Sequence, residues 1–400
     1  VYDINGFKEY PYWSLKSEEY TKSYKEAVDD VRYLVTSAIE YQMVSDVPVC
    51  SFLSGGLDSC IVTAVAANYL AKKGKTFNTF SFDFKDNNKY FVSNSFQPEQ
   101  DRPYVDIMLD NFNVNHTYLE CNNEELADYL YLSVDAKDLP GMADVDASML
   151  YFCKLVKEHN KVTLTGECAD EIFGGYPWFH REEFINADTF PWSINYNVRN
   201  SVLNSDTVSA LDLKGYIDKQ YRQSISQVPI LEGEDSLKKR QREISFLNLK
   251  WFMTTLLDRM DRASMYSGLE ARVPYADHRI IEYMWNVPWE YKCHNGITKG
   301  LLRDSAKDLL PDEIVWRKKS PYPKTYNPNY EKILKERVVE ILADNNSPVL
   351  PILNKDEIQR LINSSSDYGK PWFGQLMAAP QLLAYIIQVN YWLKKYNLSL

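Results

Sequence analysis

The chain has 400 residues, 45% hydrophobic and 25% charged, an ordinary globular balance large enough for one big domain or two modest ones. Its net charge of −10 argues against a broad nucleic-acid surface but leaves room for a local basic pocket. Six scattered cysteines without a CxxC pair exclude a disulfide framework and a cysteine zinc site, which suits a reduced cytoplasmic setting, and no run reaches the roughly 18 apolar residues of a membrane span.

Residue 1 is Val, so the chain reads as a processed product or a fragment of something longer. Residues 1–16 carry Gly6, Pro11, Tyr12 and Trp13 without a period and read as a connecting segment. A helix is expected over 18–43, with Val28, Val31, Val35, Ala38 and Ile39 on one face. Together they make a lead-in over residues 1–45.

Residues 46–194 read as an α/β nucleotide-binding part. Val47, Val49, Cys50, Phe52 and Leu53 suggest a short buried strand, and Leu57, Ile61, Val62, Val65, Ala66 and Tyr69 a helix. Between them lies Ser54-Gly55-Gly56. Such a turn presents unpaired N–H groups to a phosphate or pyrophosphate, aided by the helix dipole, although it also serves as a plain tight connection. Asp58 beside an anion site suggests Mg²⁺ between them. A second strand is expected at 76–82, an excursion at 84–97, a helix at 98–111, a third strand at 115–119, and helices at 122–136 and 146–158. A fourth strand at 162–165 runs into Gly166-Glu167-Cys168-Ala169-Asp170-Glu171. Alternating strands and helices imply a doubly wound parallel sheet, with ligand at the carboxyl ends of the strands.

Three carboxylates within residues 167–171 repel one another unless a cation or donors organise them. Asp170 and Asp58 can share a Mg²⁺, which frees Glu167 for proton transfer. Beyond residue 195 strand signals nearly vanish, and helices are expected at 236–265, 299–310, 329–344, 355–363 and 375–395. Residues 195–400 thus read as a mainly helical part of the same domain. Within it, Arg262, Glu270, Arg272 and Asp277 belong to an alternating acid–base stretch that suits either substrate contacts or a salt-bridge network. Lys299 stands near a helix start, where a cation is out of place unless a polyphosphate is near. Residues 316–324 form a basic loop, either a solvated surface or a cover over phosphates.

Taken together, Ser54-Gly55-Gly56-Leu57-Asp58-Ser59, Gly166-Glu167 through Gly174-Gly175-Tyr176, Gly268 to Pro274, Asp277 and Lys299-Gly300-Leu301-Leu302-Arg303 resemble the synthetase domain of glutamine-dependent asparagine synthetases over residues 12–328. That family lies within the PP-loop ATP pyrophosphatases. The resemblance implies that ATP activates the β-carboxylate of aspartate as β-aspartyl-AMP, releasing pyrophosphate, and that ammonia then displaces AMP. It places Leu53, Ser54, Gly55, Gly56, Asp58, Ser59, Phe82, Thr165 and Gly166 at ATP, Asp58 and Asp170 at Mg²⁺, and Glu167 and Lys299 in catalysis. Cys60, Cys168 and Tyr275-Ala276 depart from the commoner pattern without removing a needed group. The family's N-terminal glutaminase domain has no counterpart in this sequence, so glutamine hydrolysis is not expected of the chain; ammonia would come from a glutaminase outside it, and a homo-oligomer is compatible. β-Lactam synthetases and peptide cyclases are related alternatives; a tRNA-modifying PP-loop enzyme and an inactive binding fold are more distant ones.

Overall fold

The computed structural model describes residues 2–93, 97–363, 373–374 and 377–398. The excursion expected at 84–97 and the helix expected at 375–395 lie partly outside them. A small antiparallel ribbon, Tyr2–Asp3 with Gly6–Phe7, comes first. Helix α1 (Tyr24–Gln42) starts later than expected because Ser23 and Glu26 close a capping box: Glu26 N–H donates to Ser23 Oγ, and Ser23 N–H to Glu26 Oε2 at 2.8 Å.

The α/β part follows as β1 (Val49–Phe52), α2 (Leu57–Ala71), β2 (Phe77–Phe84), α3 (Arg102–Asn111), β3 (Val114–Cys121), α4 (Asn123–Lys137), α5 (Asp144–Lys157), β4 (Val162–Leu164) and the short α6 (Ala169–Phe173). Successive side chains of β1 point to opposite sheet faces. Val49 and Leu53 therefore join one core with Val31, Val35, Ile61 and Val65, while Cys50 joins a second with Phe80, Leu126, Leu130 and Leu150. Even the polar Ser51 is satisfied, at 2.8 Å from Thr63 Oγ1.

Further along lie α7 (Ser236–Leu247), a π-helical stretch Asn248–Met253, α8 (Thr254–Tyr266), β5 (Glu270–Arg272), α9 (His278–Asn286), α10 (Gly300–Ala306), α11 (Pro328–Ala343) and α12 (Ala379–Lys395). The sequence suggests one helix over 236–265. The wide turn interrupts it and brings Asn248 Nδ2 to the Glu171 carbonyl at 3.2 Å. Helices α11 and α12 lay Leu334, Val338, Leu382 and Ile386 into the core shared with α4.

All five strands are parallel, in the order β3-β2-β1-β4-β5. β5 lies beyond residue 195, where strand signals nearly vanish. It is an edge strand of three residues that pairs, among the described residues, with β4 alone, and its Glu–Ala–Arg composition carries little apolar signal. The chain winds outward from β1 to β3, then returns to the other side of β1 as β4. The loops leaving β1 and β4 consequently part at a switch point, where doubly wound sheets hold their ligands.

Candidate active site

The loop leaving β1 is held from within. Ser54 Oγ lies 3.0 Å from Ser59 Oγ, and Ser59 Oγ donates to the Gly56 carbonyl at 3.1 Å. Gly55 has φ +70°, and a Cβ there would stand 2.7 Å from the Cβ of Tyr104. The glycine thus lets α3 press the loop from behind. Gly56 caps α2 with no side-chain acceptor, so the N–H groups of the first turn remain available to an anion.

The loop leaving β4 comes within backbone contact. A Cβ on Gly166 would lie 2.7 Å from Ser59 N and 3.0 Å from the Asp58 carbonyl carbon. β5 fixes this loop through Thr165 N–H, which donates to the Arg272 carbonyl at 2.9 Å. Cys168 then turns with φ +71°, a left-handed conformation unusual for a side chain with a Cβ, and starts α6.

Lys299 joins the two loops. Also left-handed (φ +57°) and only 3% exposed, it contacts Asp58 Oδ1 and Oδ2 at 2.8 and 2.7 Å and Asp170 Oδ1 at 2.8 Å. Lys319 donates to Asp170 as well, with its ammonium 4.6 Å from the centre of the Tyr176 ring. Burial opposes ionisation of both carboxylates, but two lysines hold Asp170 well below the usual range. Asp58 has one lysine and Asp170's negative charge beside it, so burial pushes its carboxyl up.

Glu167 is paired to Arg259, which is 6% exposed and projects from α8; Glu167 Oε2 accepts no hydrogen bond from the described residues. Burial raises the Glu167 carboxyl, while the guanidinium opposes that rise. Arg317 reaches the Ser54 carbonyl at 3.2 Å and Asp101 at 2.5 Å, and its guanidinium stacks 4.0 Å from the Tyr104 ring centre. The basic loop expected at 316–324 therefore reaches both loops, Arg317 the one leaving β1 and Lys319 the one leaving β4. Replacing Arg259 by Met should destabilise the fold by about 3 kcal/mol, because a buried carboxylate loses its partner. Urea unfolding measures this loss, which should shrink at acid pH as Glu167 takes a proton.

Glu171 lies behind this cluster. Burial, and then the charge of Asp170, push its carboxyl from 4.5 up to about 7, against the hydrogen bond donated by Tyr176 at 2.7 Å. The folded state binds this proton more tightly than the unfolded one, so the contribution is full below about 4.5 and lost as pH rises towards 7. The loss is on the order of 3 kcal/mol. Urea midpoints of Glu171→Gln should lack that decline, and equal slopes in both proteins would contradict the assignment.

These groups line one cleft of about 300 Å³. Leu53, Ser54, Gly56, Asp58, Ser59, Phe82, Thr165, Gly166, Glu167, Asp170 and Lys299 all line it, with Gly55 behind the loop. At one end Phe52 and Phe82 pack on Phe152, with centroids 4.4 and 5.2 Å away. Arg262, Glu270, Arg272 and Asp277 do not line the cleft. Arg262 pairs with Asp258 on the surface; Arg272 binds the Gln42 and Val44 carbonyls and pairs with Glu270; Asp277 caps α9 and pairs with Arg279. Of the two readings of that stretch, their contacts support scaffold. Sequence reasoning missed Arg259, although Leu256, Met260 and Ala263 on the buried stripe of α8 place it inward.

A family model described as asparagine synthase matches residues 30–394. The chain is 44% identical over 402 aligned residues to asparagine synthetase [glutamine-hydrolyzing] 3 of Bacillus subtilis, covering 100% of this chain and 65% of that protein. It is 26% identical to asparagine synthetase [glutamine-hydrolyzing] 1 of the same organism, over 84% of this chain and 55% of that one. The human asparagine synthetase [glutamine-hydrolyzing] is 24% identical over 79% of the chain and 47% of its own length. The chain therefore spans about half to two thirds of these relatives.

Proposed function

This chain belongs to the asparagine synthase family, and we propose that it makes asparagine from aspartate and ammonia through a β-aspartyl-AMP intermediate, with ATP yielding AMP and pyrophosphate. The observation that carries this reading is the set of two loops at the switch point, bridged by Lys299 through Asp58 and Asp170, beside an aromatic slot. A phosphate chain laid on the first turn of α2 meets N–H donors, Lys299 and Lys319 on its leaving side. The purine would take the slot of Phe52, Phe82 and Phe152. The aspartate carboxylate then attacks the α-phosphorus, and the bond from that phosphorus to the bridging oxygen breaks. Charge builds on the departing pyrophosphate where the cations converge, and such fixed charges can contribute several kcal/mol. Ammonia next attacks the acyl carbon and AMP leaves with the former carboxylate oxygen. Glu167, with one carboxylate oxygen unpaired among the described residues, would take the proton that the ammonium sheds.

The donor set fits Mg²⁺: Asp58 and Asp170 are hard oxygen ligands on opposing loops, and the cation would neutralise the pyrophosphate. Among the described residues no helix is long and apolar enough to cross a membrane. We place the activity in the cytoplasm, on small molecules and without nucleic acid. Label exchange between pyrophosphate and ATP, measured with a panel of acids, tests the substrate. Exchange should require aspartate; exchange with another acid and none with aspartate would instead point to a β-lactam synthetase or cyclase type of enzyme. Glu167→Gln should cut asparagine formation by about a hundredfold or more. Unchanged product formation would remove Glu167 from the mechanism.

A further inference from the structure

A second cavity, of about 540 Å³, lies between the lead-in, residues 231–245 and residues 285–292. Lys292 lines it and is only 5% exposed. Its ammonium has no hydrogen bond or ion pair among the described residues, and the centre of the Trp289 ring is 5.8 Å from it. The neighbouring cation is already engaged, since Arg242 pairs with Glu234 at 2.5 Å and also donates to Ser17 Oγ and the Trp285 carbonyl. A buried cation without a counterion is costly, and burial, with Arg242 nearby, pulls the Lys292 amine down to about 7. A carboxylate on Lys292 would remove that cost.

The mouth of the cavity has the opposite sign. Glu18, Glu19, Glu232 and Glu290 line it and are exposed, while Lys238 is the cation beside them. A dianion such as phosphate would face this rim unfavourably, whereas a zwitterion satisfies both ends. We propose that this cavity binds a free amino acid, with its carboxylate on Lys292, its ammonium towards the glutamates and its side chain against Trp285 and Trp289. Neither ATP nor the amide-forming reaction enters this argument, so the site stands apart from the catalytic reading.

Its position gives it a route to the active site. A Cβ on Gly174 would touch the Trp289 ring at 2.6 Å, so this tryptophan packs directly on the loop that follows Asp170. Lys292 is also joined to Lys299 by a short connector that includes the single turn His294–Gly296. An amino acid bound here lies against elements that hold two members of the catalytic cluster.

The test uses the wild-type chain and limiting acetic anhydride, with lysine acetylation mapped by mass spectrometry. The standard amino acids are added singly, each beside its carboxamide, and inorganic phosphate is the dianion control. At least one amino acid should slow acetylation of Lys292 about fivefold or more at saturation. Because the added amines also consume anhydride, the slowing is read relative to Lys214 on the surface, and by that ratio the carboxamide and phosphate should have no effect. The same amino acid should raise Tm in wild type but not in Lys292→Met, whose shift with ATP should persist. Protection by phosphate or by the carboxamide, or protection by no amino acid, would overturn the proposal.

Discussion

Replacing Lys299 by Met should slow aspartate-dependent pyrophosphate release by about a thousandfold. In the folded chain Lys299 is the shared counterion of Asp58 and Asp170, touching both within 2.8 Å while almost wholly buried. Removing it leaves two carboxylates facing each other, with Lys319, bound to Asp170, and the more distant charge of Arg303 as compensation. The Asp58 carboxyl, already pushed up by burial, would then be pushed further up by the charge of Asp170. The variant should be less stable by roughly 3 kcal/mol at neutral pH, a deficit that narrows in acid. Lys299→Arg should not restore the rate, because a planar fork cannot reproduce a point charge between two carboxylates. Rapid-quench measurement of pyrophosphate checks the rate and urea titration the stability. A rate within tenfold of wild type would remove Lys299 from the chemistry.

Gly166→Ala should damage both the fold and the site. Its Cβ would meet the backbone of Ser59 and Asp58 at 2.7 and 3.0 Å, and neither is the flexible end of a side chain. The loops of β1 and β4 must move apart, which costs about 2–3 kcal/mol in overpacking and displaces Asp58 from Lys299. ATP binding measured by calorimetry should weaken by at least about a hundredfold, equivalent to some 3 kcal/mol. Gly56→Ala is the comparison: its Cβ meets only Ser54 Oγ at 3.4 Å with an ordinary φ of −75°, so stability should fall by less than about 1 kcal/mol. Equal losses in the two variants would contradict the close approach of the loops.

What could be read from the sequence followed strong local signals. Strand, Gly-Gly and helix around Ser54 form a dense pattern, and the apolar runs of β1, β2 and β4 leave little choice of element. β5 was hidden because an edge strand of Glu270, Ala271 and Arg272 takes its place from backbone pairing to β4, not from side-chain burial. The oddness of Lys299 near a helix start was visible, but its left-handed backbone was not, since no local residue type calls for it. Cys168 is a similar case, with a φ of +71° that glycine takes more readily than a residue with a Cβ. The charged residues of 262–277 could be seen but not sorted. Only tertiary contacts show that Arg272 ties β5 to the end of α1 and that Asp277 caps α9. Arg259 was the reverse case, a charge on an apolar stripe whose partner, Glu167, lies far away in the sequence.

The central claim is that a carboxylate attacks the α-phosphorus of ATP while the β1 loop and Lys299 hold the pyrophosphate. Aspartate labelled with ¹⁸O in its side-chain carboxylate tests it directly, with ammonia present and the products read by mass spectrometry. One labelled oxygen should appear in AMP and none in pyrophosphate or inorganic phosphate. Label in inorganic phosphate would mean attack at the γ-phosphorus, and the assignment of the two loops to an adenylating site would then be wrong.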